Sequence, residues 1–280
     1  AVARRGRVGL VGTDVSDHRD LLGIAESVWR LGGELALPSL RVEAVAHPDG
    51  PASTILARQP PRTLTMAVEA ATDSLRCALG KRLSDARIRQ AARVARDAGV
   101  SGLRVYLLVG TPGETDDDLD AVAELCRGLR ADGPGGALTL SVNGLVPKPG
   151  TPLQWEPAPG RETLRRARRR LRQALPLDRL DVAFESPDWS RWQCLLALGS
   201  RDTSRHVLHA ADHGWRAALA AAQHEGEPTW TGAGRAPGAP LPWDHVHDRS
   251  RAGCLVQERR RFRERIYTPP TKICDGAAPR

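Results

Sequence analysis

The sequence predicts an α/β protein, a partial parallel (β/α) barrel of TIM type over residues 1–157, followed by an α-rich carboxyl-terminal module. Three observations predict it. The apolar run Leu103, Val105, Tyr106, Leu107, Leu108 and Val109 has the character of a strand buried on both faces, and it stops abruptly at Gly110-Thr111-Pro112-Gly113. Glu114-Thr115-Asp116-Asp117-Asp118 follows at once, placing a capping residue and carboxylates before the amphipathic stretch 119–129, as a helix amino terminus favours. Four further strand patterns alternate with helical ones, which makes parallel pairing through right-handed crossovers the natural topology.

Taken in order, residues 7–11 (RVGLV) form a short strand that runs into the polar turn Gly12-Thr13-Asp14-Val15-Ser16-Asp17 and a helix over 18–31. Residues 34–45 (ELALPSLRVEAV) read as a second strand with Ser39, Arg41 and Glu43 on alternate positions, its first half weakened by Pro38. A third strand over 63–70 ends in Glu69 and precedes a helix over 72–79; a clearer helix follows over 85–98. The fourth strand is the apolar run above. The fifth, 137–145, is stopped by Val146-Pro147-Lys148-Pro149-Gly150-Thr151-Pro152, which cannot continue in a sheet. Pro-Ala-Pro-Gly at 157–160 marks a boundary. Beyond it, residues 158–225 read as a helical accessory region opening on an Arg-rich helix over 161–175, and residues 226–280 as a Gly/Pro-rich linker and tail. Trp189, Trp192, Trp215, Trp230 and Trp243 read mostly as the core of that module.

With 280 residues and 41% hydrophobic content the chain can bury a full core. The net charge of +8 comes almost wholly from Arg, since Lys occurs only at 81, 148 and 272, and it argues only modestly for an anionic partner. Five scattered cysteines with no CxxC spacing argue against a disulfide framework and suit a reducing compartment. His206, His209 and His213 share a helical face, but no cysteine stands among them, so an ordinary amphipathic helix is the expectation and no metal site is assigned. No apolar run approaches 18 residues, so no membrane partner is expected, and the expected compartment is cytoplasmic.

A polar residue recurs at the carboxyl end of each strand: Thr13 and Asp14, Ser39 and Arg41, Glu69, Thr111, Asn143. Loops are polar in any case; their shared position is what matters. A parallel barrel brings all five ends onto one rim around a single cavity.

The succession GTDVSD, LPSLRVEA, MAVEAATDSLRCALGKRLSD, LRVYLLVGTPGETDDDLD and SVNGLVPKPGTPLQW resembles the second to sixth strands of a radical S-adenosylmethionine (radical SAM) core. It is most similar to the uncharacterised radical SAM proteins often associated with a cobalamin-binding domain, and more distantly to the methylthiotransferases. The likeness continues through GSRDTSRHVLHAADHG, LPWDH and residues 258–274. The resemblance implies an enzyme that holds SAM on the barrel rim, cleaves it reductively and carries out radical modification or methyl transfer on a substrate it does not name. It places Thr13 and Asp14 at the amino-acid end of SAM, Ser39 and Arg41 at the next loop, and Glu69 near the ribose or methionyl group. It sets Lys81 at the SAM carboxylate, with Arg76 or Arg82 as alternatives. Gly110, Thr111 and Pro112 would line the adenine, and Asn143 would meet the ribose or adenine. Glu114 reads as a helix-start carboxylate rather than a ligand.

Radical SAM chemistry also needs a CxxxCxxC loop holding a [4Fe-4S] cluster, and this sequence has none. The chain begins within a few residues of what resembles the second strand, so the expectation is a carboxyl-terminal portion whose first strand and cluster ligands lie upstream. Cobalamin is a further cofactor the resemblance allows, although no DxHxxG-type motif is present. The alternative is a non-catalytic relative that has lost the cluster and serves as a scaffold or binds RNA through the Arg-rich helix. A plain SAM-dependent methyltransferase is disfavoured, because no glycine-rich loop follows the first strand.

Overall fold

The computed structural model describes residues 6–12, 14–36, 40–175, 180–225, 234–246 and 250–267. Strands and helices alternate as β1 (Arg7–Gly9), α1 (Leu21–Arg30), β2 (Glu34–Ala36), α2 (Val42–Val45), α3 (Pro51–Arg58), β3 (Thr63–Glu69), α4 (Asp73–Ala78), α5 (Asp85–Asp97), β4 (Gly102–Val109), α6 (Asp116–Asp132) and β5 (Leu138–Gly144). A short 3-10 turn (Pro152–Trp155) leads to α7 (Arg161–Ala174), β6 (Leu180–Phe184), α8 (Pro187–Leu198), α9 (Ser204–His213), α10 (Trp215–His224) and α11 (Ser250–Tyr267). All strand pairs are parallel: β1 with β2 in one sheet, and β3-β4-β5-β6 in that order in the other.

The two faces of the larger sheet differ. Leu64, Met66 and Val68, Val105, Leu107 and Val109, and Leu138, Leu140 and Val142 are buried against apolar stripes of α5, α6 and α7, such as Ile88 and Ala92, Leu119 and Leu129, and Leu164 and Leu171. The intervening positions point the other way and remain partly or fully exposed: Thr65, Ala67 and Glu69, Arg104, Tyr106 and Leu108, Thr139, Ser141 and Asn143. Strand order follows chain order and the three connecting helices share one face, so the sheet is singly wound.

Local chemistry sets the boundaries. Thr115 caps α6 in a capping box with Asp118, and Thr72 and Ser84 cap α4 and α5 through their hydroxyls. A second core gathers Trp155, Trp192, Leu195, Leu219 and Trp243 from the chain beyond β5.

Several expectations are corrected. Of the strand read over 34–45 the described part is Glu34–Ala36, and its far end is helical from Val42, which lets Val42 and Val45 share one buried side. β6 arises within the stretch read as helical, with Leu180, Val182 and Phe184 on the helix-covered face and Asp181 and Ala183 between them. α11 forms within the stretch read as linker and tail. Cys77 is disulfide-bonded, against the expectation of reduced thiols, while Cys126, Cys194 and Cys254 are free.

The loop after β3 is fixed by Arg76, which is wholly buried. Its Nε donates to the Leu83 carbonyl at 2.6 Å, and Nη1 donates to those of Ala70 and Ala71 at 2.8 and 2.9 Å. Nη2 meets the carboxylates of Asp73 and Asp85. All five donors of the guanidinium are thereby matched, so Arg76 is not available to a SAM carboxylate. Replacing Arg76 with Met strands three carbonyls and two carboxylates; the expected cost is about 3 kcal/mol or more, read as a lowered urea midpoint at unchanged slope.

Candidate functional site

The sequence-predicted residues fall into two groups at the carboxyl ends of the strands. Thr13 and Ser39 lie outside the described residues. In the smaller sheet, Asp14 accepts from the Ser16 amide and lies 3.3 Å from the Arg41 guanidinium, which also reaches Asp17 at 3.0 Å and Glu43 at 3.7 Å. Partial burial works against the charged guanidinium, but the carboxylates of Glu43, Asp17 and Asp14 outweigh it and raise its pKa. Arg41 is therefore held in a carboxylate cluster of its own chain.

In the larger sheet, β3 ends in a bulge. Register slips between Ala67 and Glu69, and Glu69 takes a φ of 71°, a conformation few residues other than glycine adopt. Such a bulge re-aims a side chain. Glu69 Oε1 lies 3.3 Å from Lys81 Nζ, which also donates to the Ala67 carbonyl. Lys81 is delivered by the loop that Arg76 fixes, its amide donating to the Arg76 carbonyl at 2.8 Å. The structure thus brings together Glu69 and Lys81, two residues twelve positions apart. No hydrogen bond or ion pair joins them to Asp14 or Arg41 among the described residues.

β4 ends in a tight turn. The Glu114 amide donates to the Thr111 carbonyl at 3.0 Å, with Pro112 at the second position and Gly113 at φ 79° in the third, the signature of a type II turn. A Cβ on Gly110 would stand 2.6 Å from Pro159 Cβ, and one on Gly113 would collide with Ile266 Cγ2. The space these glycines leave is thus used by the chain's own Pro159 and Ile266. Thr111 is buried, and its Oγ1 has no hydrogen-bond partner among the described residues. Asn143 sits on the open face of β5, in register with Leu108, and its amide side chain makes no hydrogen bond among the described residues.

Other expectations resolve into structure. Arg161, Arg166, Arg169 and Arg170 of α7 pair with Asp188, Asp116, Glu162 and Asp120, and Arg168 and Arg172 lie over the Phe184 ring. Much of this helix's charge is neutralised within the fold. His206 is buried beside Glu225, whereas His209 and His213 stack on each other at 4.6 Å. Sequence reasoning missed α11, whose residues meet the segments after β3, β4 and β5 in turn. Arg265 donates to the Cys77 carbonyl, Ile266 covers Gly113, and Arg259 and Arg263 grip the buried carboxylate of Glu156. The basic pattern RRRFRER was the available signal, with Phe262 its one buried side chain among the described positions.

Glu114, read from sequence as a helix-start carboxylate, instead turns back to accept the Gly110 amide at 2.8 Å. Burial pushes its carboxyl from the ordinary 4.5 up to about 7, against the Gly110 N–H that favours ionisation. The folded chain keeps this proton after the unfolded chain has released it. Its contribution to stability is therefore complete below the ordinary value, falls as pH rises, and is gone above the folded one. The expected loss across that window is about 3 kcal/mol. Glu114→Gln keeps an acceptor for Gly110 without the titration, so urea unfolding from pH 4.5 to 8 should show the variant gaining on the native protein by that amount; a constant difference would refute it.

The chain matches no known protein family. It is similar to the uncharacterized protein MJ0966 of Methanocaldococcus jannaschii, 25% identical over 206 residues, which cover 74% of this chain and 44% of that protein. The chain thus spans less than half the length of this relative.

Proposed function

We propose that the chain is the SAM-binding portion of a radical SAM enzyme and that the larger sheet is part of a parallel barrel whose open face lines the cavity. What carries the reading is the carboxyl edge of that sheet. Glu69 and Lys81 form a partly exposed ion pair on a bulged strand end, and beside them in strand order stand the unpartnered Thr111 hydroxyl and Asn143 amide. A singly wound sheet with helices on one face supports a barrel over a doubly wound fold, where a ligand would sit at a reversal of strand order.

These residues fit the ligand chemically. The amino-acid end of SAM is a zwitterion, and Glu69 with Lys81 offers one charge of each sign to it. Thr111 Oγ1 and the Asn143 amide supply the hydrogen bonds that a purine or ribose demands. When bound, SAM supplies the activated sulfonium; the chain's own residues orient it and exclude water.

A [4Fe-4S] cluster does not fit the described thiols. Cys126 and Cys194 lie on different helices, and burial pushes each thiol up to about 12, far from the thiolate that iron requires.

Equilibrium dialysis with labelled SAM tests the reading. Glu69→Gln and Lys81→Met should each weaken binding about tenfold or more, the worth of one charge-assisted hydrogen bond. Arg169→Ala on α7 should leave it unchanged. Affinity that survives both rim substitutions overturns the assignment.

A further inference from the structure

Beside the rim lies a cavity of about 490 Å³ that none of Glu69, Lys81, Thr111 or Asn143 lines. Three separate segments wall it: the turn after α4, the Pro-rich loop after β5, and α11. Among the described residues they bring four cations to one space, Arg82, Lys148, Arg261 and Arg265, against a single carboxylate, Glu258. Arg265 is braced by its bond to the Cys77 carbonyl at 3.1 Å, whereas the exposed Lys148 amine and Arg261 guanidinium have no ion pair or hydrogen bond among the described residues. Leu153 and the buried Phe262 add apolar wall.

We propose that this cavity binds an organic diphosphate of about nucleotide size. A lone carboxylate is satisfied by one guanidinium fork. Cations from three segments, two of them unsatisfied, instead match an anion whose charge is spread over several oxygens. The volume falls within the range of small-molecule pockets, roughly 300–1,000 Å³, and the apolar wall gives the ligand's body a place to lie. No arginine of α7 lines the cavity, and Arg161, Arg166, Arg169 and Arg170 are paired elsewhere, so that helix does not extend the cavity into a nucleic-acid track. The assignment does not rest on the SAM reading.

Isothermal titration of the chain with inorganic pyrophosphate, at fixed ionic strength, tests it. One site is expected, and the double variant Lys148→Gln, Arg261→Gln should bind about tenfold more weakly or worse, since each change removes a charge-assisted contact. Both side chains are exposed, and the single variant Lys148→Gln gives a second reading if the double variant loses stability. Adenosine diphosphate should compete with pyrophosphate at least as well as pyrophosphate itself. Undiminished binding in both variants overturns the proposal, as does displacement of pyrophosphate by a single-stranded RNA oligomer but not by adenosine diphosphate. SAM should not displace pyrophosphate; if it does, the cavity is part of the SAM site and this proposal fails while the rim reading stands. Loss of SAM binding in Glu69→Gln with pyrophosphate binding intact keeps the two sites distinct.

Discussion

The buried guanidinium of Arg76 is the constraint on which the candidate site depends. A parallel strand must hand its chain to a crossover, and the loop between β3 and α5 exposes carbonyls that no ladder can satisfy. Arg76 gathers three of them, at Ala70, Ala71 and Leu83, and ties both ends of the loop to Asp73 and Asp85. Burying a charge is costly unless every donor is used, and here every donor is used. Glu69 stands just before this knot and Lys81 just inside it, so the geometry of their ion pair follows from a residue that touches no ligand.

The open sheet face is the second constraint. Parallel sheets are as a rule covered on both sides, yet the outward positions of β3, β4 and β5 include Thr65, Arg104, Thr139, Ser141 and Asn143. Polar side chains on such a face are at odds with a helix packing there, and they suit a water-filled or ligand-filled interior. α11 answers part of the demand from above. Its Ile266 fills the space left by Gly113, while Arg259 and Arg263 offset the burial of Glu156 after β5. Substituting Gly113 would disturb both turn and helix, because its φ is positive and its missing Cβ is where Ile266 packs.

Most of the sheet was legible because its determinants are local. The strand, turn and helix around residues 102–132 follow from a β-branched run, a Pro-Gly turn and a capping box, all within thirty residues. The second strand was overread because Leu40, Val42 and Ala44 alternate with Ser39, Arg41 and Glu43, while the spacing of Val42 and Val45 equally suits one side of a helix. β6 was lost within a stretch read as helical because five residues with weak alternation carry little strand signal until a neighbouring strand supplies the register. The pairing of Arg41 with Asp14, and of Lys81 with Glu69, joins residues that no short pattern connects. Arg76 read as a candidate ligand for the same reason: nothing local shows that its acceptors are its own backbone.

The two concentrations of positive charge differ in what faces them. On α7 the buried Leu164, Ala167 and Leu171 face the sheet, so Arg166 and Arg170 fall beside the acidic amino-terminal turns of α6 and are neutralised there. On α11 the buried anchor Phe262 leaves Arg261 and Arg265 turned toward the cavity, and among the described residues the only carboxylate lining it is Glu258. Charge that is paired within the fold contributes solubility and little else. An excess of positive charge converging on a concave space holds a standing positive potential there, and a multiply charged anion is the simplest chemistry that discharges it.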